Sequence, residues 1–109
     1  MAAAAGIEHH VVAWQSAGRT SDPWLGPPVE EMIRDLAGHG YPAIVSCSAG
    51  FVADHLEILF DLDIEARRVA REAGVAFVRT EMPNADPAFL AILADMVKQH
   101  VASTAEQSV

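Results

Sequence analysis

The sequence predicts an α/β domain with a short parallel sheet flanked by helices. Three observations carry this. Short β-rich apolar runs alternate with longer amphipathic stretches in the order β-α-β-α-β-α. The stretches between strands are long enough for helical crossovers, which are right-handed and make the strands parallel. Gly and Pro clusters mark the boundaries. The chain has 109 residues, one small domain, and 51% of them are hydrophobic, so a core is available.

MAAAAG reads as a helix end or a frayed start, closed by Gly6. Residues 9–15, HHVVAWQ, form the first expected strand. The run is continuous rather than alternating, as in a strand covered on both faces. SAGRTSDPWLGPP, residues 16–28, is a long loop broken by Gly18, Pro23, Gly26, Pro27 and Pro28. Trp24 and Leu25 are apolar within it. They either plug the loop onto the core or line a site for a flat apolar ligand. Arg19 is a candidate anion contact.

Residues 28–37 are expected to be helical, with Glu30 and Glu31 at the positive end and Met32, Ile33 and Leu36 as the core stripe. Residues 42–48, PAIVSCS, make the second strand, with Cys47 as a small core residue. A central helix is expected from Phe51 to about Ala73, stopped by Gly74, burying Val52, Leu56, Leu59, Phe60 and Ala70. Residues 75–79 make the third strand, followed by the rigid loop TEMPNADP. Asp86 caps the last helix with Pro87 in its first turn and Phe89, Leu90, Leu93, Met96 and Val97 as its stripe. Residues 102–109 are expected to fray.

On the central helix Glu57, Asp61 and Glu65 stand four residues apart. Each step of four turns an α-helix by only roughly 40°, so the three form a ridge about 12 Å long. Asp54 is expected on the same side, and the apolar face on the other. Like charges at this spacing cost roughly 0.2–0.5 kcal/mol per pair. The ridge is either a solvated face or a seat for a hard or borderline divalent cation such as ferrous iron or magnesium. Arg68 partly neutralises its far end. His55, two residues from Glu57, points away from it in a regular helix.

Other classes are disfavoured. The net charge is −8, from 15 acidic and 7 basic residues, which argues against nucleic acid and anionic membranes. Cys47 is the single cysteine, so no disulfide, CxxC pair or iron–sulfur cluster is built within one chain, as in a cytosolic protein. The opening residues are too short for a signal peptide, and no apolar run reaches a bilayer-spanning length. Ligands of open parallel sheets bind beyond the carboxyl ends of the strands. The Trp24 loop, the turn Ser48-Ala49-Gly50, the TEMPNADP loop and the start of the acidic helix all fall at that edge.

AWQSAGRTSDPWLGP, GFVADHLEILFDLDIEA and TEMPNADPAFLAILADMV, in this order and spacing, resemble the C-terminal lobe of the ferrochelatase family. The likeness is nearest to the soluble bacterial type acting on coproporphyrin III, and it runs from about Ala4 to about His100. It implies one three-layer, Rossmann-like lobe of two, spanning residues 1–109, with the porphyrin in the cleft between lobes. It implies insertion of ferrous iron into coproporphyrin III or protoporphyrin IX in heme biosynthesis. Glu57 falls on the carboxylate of the family's H-x-E segment, with His55 as the histidine. Its implied role is to assist metal delivery or to remove pyrrole protons, as a base whose pKa partial burial raises. Asp61 and Glu65 fall on the two further acids of a metal relay. Trp24, Gly50 and Phe51 are the candidate substrate contacts. A locally widened helical turn bringing His55 nearer Glu57 is also implied.

No tightly bound cofactor is expected. Ferrous iron is a substrate, and magnesium a candidate at the ridge. The chain departs from the family at Ser48, where a Pro is usual. The family's first lobe, with the opposing histidine, has no counterpart here, so the lone chain is expected to have negligible activity. A supplied first lobe or a second copy would complete the cleft, with His9 or His10 replacing the histidine in the second case. A non-enzymatic metal-binding domain is the remaining alternative.

Overall fold

The computed structural model describes residues 1–15, 23 and 25–107. A 3₁₀ turn at Ala3–Ala5 ends at Gly6, and a stretch without regular secondary structure follows. Helix α1 is Val29–Gly38 and strand β1 is Ala43–Ser46. Helix α2 has three parts: an α-turn at Leu56–Ile58, a π-helical stretch at Leu59–Ala66 and an α-helical end at Arg67–Glu72. Strand β2 is Ala76–Arg79, and helix α3 is Pro87–Gln107.

β1 and β2 pair in parallel, in register from Ala43 opposite Ala76 to Ser46 opposite Arg79, with α2 as the crossover. Gly74, at φ 72°, takes the left-handed position that ends α2 and turns the chain into β2. The core is Ile33, Ile58, Leu62, Ala66, Val69, Ala70, Val75 and Met82, with Ile44 and Phe77 packed against it from the sheet. Alternation along each strand puts Ile44, Ser46, Phe77 and Arg79 towards the core and leaves Val45 and Val78 on an open face.

The first expected strand is not one. Residues 9–15 carry no strand, and among the described residues no ladder forms along them. An isolated bridge pairs Trp14 with Pro28: Trp14 N–H donates to Pro27 O at 2.9 Å, and Val29 N–H to Trp14 O at 3.0 Å. The β-branched run had the propensity, but a strand needs a neighbour in the ladder, and Val12 is left 67% exposed. The bridge instead ties the entrance of α1 to Trp14. A side chain at position 26 would occupy the space of the Trp14 indole, so glycine is required there.

The central helix starts five residues later than expected, at Leu56, and its buried face differs. Of the five residues expected to be buried, only Ala70 is; Leu56 is 82% exposed and Val52, Leu59 and Phe60 are exposed. The buried residues of α2 are Ile58, Leu62, Ala66, Val69 and Ala70. An i→i+5 ladder turns less per residue than an α-helix, so along Leu59–Ala66 the buried face is not the one a 3.6-residue period gives. Cys47, expected in the core, is exposed because the strand ends at Ser46. Residues 102–107 lie within α3, where alanine and glutamate are good helix formers, and residues 108 and 109 of the expected frayed tail lie outside the described residues. Leu90, Leu93, Met96, Val97 and Val101 on α3 are all exposed.

Candidate active site

His55 immediately precedes α2 and is extended, at φ −152° and ψ 171°. The helix cannot begin earlier because the preceding loop is tied elsewhere. Asn84 N–H donates to Val52 O at 2.8 Å, Asp54 N–H donates to Asn84 Oδ1 at 2.8 Å, and Asn84 Nδ2–H donates to Asp54 Oδ2 at 3.0 Å. Asn84 itself sits at φ 48°, which asparagine tolerates better than most residues. Asp54 therefore belongs to this loop and not to the helical ridge.

Because His55 is outside the helix, it is not carried away from Glu57. His55, Leu56, Glu57, Phe60 and Asp61 line one depression of about 590 Å³. The widened helix that the resemblance implies is present, but it begins at Leu59, beyond both residues. The apolar side chains Leu56 and Phe60 thus share a surface with the acids rather than lying opposite them. A surface that is mostly apolar with a histidine and two carboxylates suits a flat, apolar ligand that exchanges protons. Glu57 is exposed, so this lobe alone does not supply the partial burial expected of it. The Nε2 of His55 is buried without a hydrogen-bond partner among the described residues, and the ring lies edge-on to Phe51, centroids 4.4 Å apart at 74°.

Glu65, further along α2, is not part of this lining. Its Oε2 accepts from Arg68 Nη2 at 2.9 Å, while Arg68 Nη1 donates to Glu72 Oε1 at 2.7 Å. The two carboxylates hold the Arg68 guanidinium above its usual pKa, Glu65 foremost. Among the described residues, no three His, Cys, Asp or Glu side chains converge as a metal-binding group. Phe51 also borders a second depression of about 390 Å³ at the carboxyl ends of the strands, with Cys47, Ser48, Thr80 and Met82. Gly50 is exposed on the turn before it, with open space where a Cβ would stand. Trp24 and Arg19 lie outside the described residues.

The sequence reading missed Arg79. Its Nε–H and Nη2–H donate to Asp63 Oδ1 and Oδ2 at 2.9 and 3.0 Å, its Nη1 lies 3.1 Å from Asp54 Oδ1, and its Nη1–H donates to Thr80 O at 3.3 Å. The Arg79 hydrogen bonds hold the Asp63 carboxyl below its ordinary pKa, and Asp63 in turn raises that of Arg79. A signal was available: on a strand with period two, Arg79 shares the inward side of Phe77, and a charge there calls for a partner.

The fold is a parallel α/β lobe with a depression of histidine, carboxylates and apolar side chains at the entry of its crossover helix. The family model for ferrochelatase matches residues 1–101, and the chain belongs to the ferrochelatase family. It is 53% identical over 98 residues to the coproporphyrin III ferrochelatase of Bacillus pumilus, covering 89% of this chain and 31% of that protein. It is 48% identical over 103 residues to that of Halalkalibacterium halodurans (94% and 33%) and 47% identical over 104 residues to that of Geobacillus thermodenitrificans (94% and 33%). The chain spans about a third of the length of these relatives. No helix among the described residues is long and apolar enough to cross a membrane.

Proposed function

We propose that this chain supplies one wall of a site that inserts ferrous iron into a porphyrin, coproporphyrin III by analogy with its relatives or protoporphyrin IX, in heme biosynthesis in the cytoplasm. The observation that carries this reading is the depression in which His55, Glu57 and Asp61 meet Leu56 and Phe60. Leu56 and Phe60 rest against the flat macrocycle. The two pyrrole N–H protons leave as the iron takes the four ring nitrogens, and Glu57 accepts them in turn and passes them to water, with His55 beside it. Asp61 and Glu65 lead the hydrated cation towards that face, where ferrous iron is substrate and magnesium a competitor.

One wall encloses one face of a flat ligand. The other wall comes from a first lobe or a second copy, and the exposed apolar stripe of α3 is consistent with a covering partner. The test is metallation of coproporphyrin III by purified chain, alone and with a first lobe from a relative. Negligible turnover alone and restored turnover with the lobe are expected. Turnover that survives Glu57→Gln in the restored complex would remove the reading. A chain that binds divalent cations but never metallates a porphyrin would leave a metal-binding domain instead.

A further inference from the structure

We propose that Arg79 is a positioning residue that locks the loop carrying His55 onto the helix carrying Glu57 and Asp61. The proposal rests on the site reading above.

The two halves of the depression come from different backbone conformations. His55 belongs to an extended loop, while Glu57 and Asp61 belong to α2. His55 is the N-cap of α2, its carbonyl accepting from Leu59 N–H at 3.1 Å, but the loop that leads into it follows no helix geometry. One guanidinium ties that loop to the body of the helix. Arg79 forks onto Asp63, two residues beyond Asp61, and reaches Asp54, the residue before His55. It does so from the end of β2, whose pairing with β1 anchors it to the sheet. Asn84 holds the other side of Asp54 and the carbonyl of Val52. Arg79 is only 11% exposed and Asp63 25%, so water competes weakly for that fork, while Asp54, 36% exposed, is the wetter end of the link. A lysine ammonium is a point charge and cannot fork onto Asp63 while reaching Asp54.

The test uses the full 109-residue chain. Two structural readouts apply: the ring-to-ring nuclear Overhauser contact between Phe51 and His55, and amide exchange at Asp54. In Arg79→Met the contact is expected to vanish and exchange to quicken about tenfold or more, with Val69 and Ala70 still protected. Arg79→Lys should fall between. Arg68→Met, which removes an arginine that does not touch the loop, should change neither. Should Arg79→Met fail to fold, Asp54→Asn decides on the same readouts, because it removes the ion pair and keeps a side chain able to bond Asn84. An intact contact with exchange within about twofold of the parent would overturn the proposal.

In the complex restored with a first lobe, Arg79→Lys should lower kcat about tenfold or more with porphyrin KM little changed. A raised KM at unchanged kcat would count against positioning. Glu57→Gln is run alongside. If it leaves metallation intact, the proposed function fails, while the contact and exchange data still judge the lock.

Discussion

Phe51 stands edge-on to His55, with ring centroids 4.4 Å apart at 74° and the His55 Nε2 shut away from solvent. The pair lies where the strand-end depression meets the helix-entry depression. Aromatic pairs of this geometry add about 0.5–1.5 kcal/mol beyond their buried area. Phe51→Ala should therefore lower stability by about 1–2 kcal/mol in urea titration, since Phe51 is already partly exposed. It should also open Nε2 to water, seen as faster modification of His55 by diethyl pyrocarbonate. Unchanged reactivity would mean that the backbone, not Phe51, shields the ring.

The Asp63–Arg79 fork sets an acid limit. The folded carboxyl titrates below its ordinary value, chiefly because Arg79 donates to it. Where the folded pKa is depressed, the stabilisation is complete above the unfolded pKa and is lost as pH falls through the folded one. Stability should thus hold at neutral pH and fall away below about pH 4. Asp63→Asn should be less stable at pH 7 and show a flatter profile between about pH 4 and 2. Parallel curves for the two proteins, by thermal melts at matched ionic strength, would contradict the assignment.

The ordering of elements was legible because Gly, Pro and charge mark their ends: Gly74 stops α2, and Asp86 caps α3 with Oδ1 accepting from Ala88 N–H at 2.8 Å. The acids were legible as a spacing, and the spacing suited the widened helix as well as the regular one. Three things were not readable. Residues 9–15 had strand chemistry, but whether a ladder neighbour is present is not written locally. The start of α2 depended on Asp54 meeting Asn84, thirty residues away. The buried face depended on the hydrogen-bond period, and assuming 3.6 residues per turn assigned Leu56 and Phe60 to the core when they line the site.

The orientation of α2 has a direct thermodynamic test. Leu62 is 2% exposed and Leu56 82%, although Leu56 and not Leu62 was expected on the buried face. Leu62→Ala should cost about 2–5 kcal/mol, with the lost contacts and a residual cavity both contributing. Leu56→Ala should stay within about 0.5 kcal/mol, as for an ordinary surface position. Equal costs in chemical denaturation would mean that α2 is turned differently. Metallation in the restored complex should respond in the opposite order, with Leu56→Ala weakening porphyrin binding.

Arg68 competes with any cation for the far acid. It holds Glu65 at 2.9 Å and Glu72 at 2.7 Å from the solvent-facing side of α2. Exposed pairs of this kind are weak and screened by salt, so a divalent ion near Glu65 has to displace one guanidinium rather than break a buried contact. Arg68→Gln should therefore tighten manganese or cobalt binding by about two- to fivefold, with the difference shrinking as salt is raised. Glu65→Gln should abolish that gain when combined with Arg68→Gln, because the freed carboxylate is its source. Calorimetric titration of the four proteins decides the matter: equal affinity for the parent and Arg68→Gln would remove Glu65 from the path of the ion.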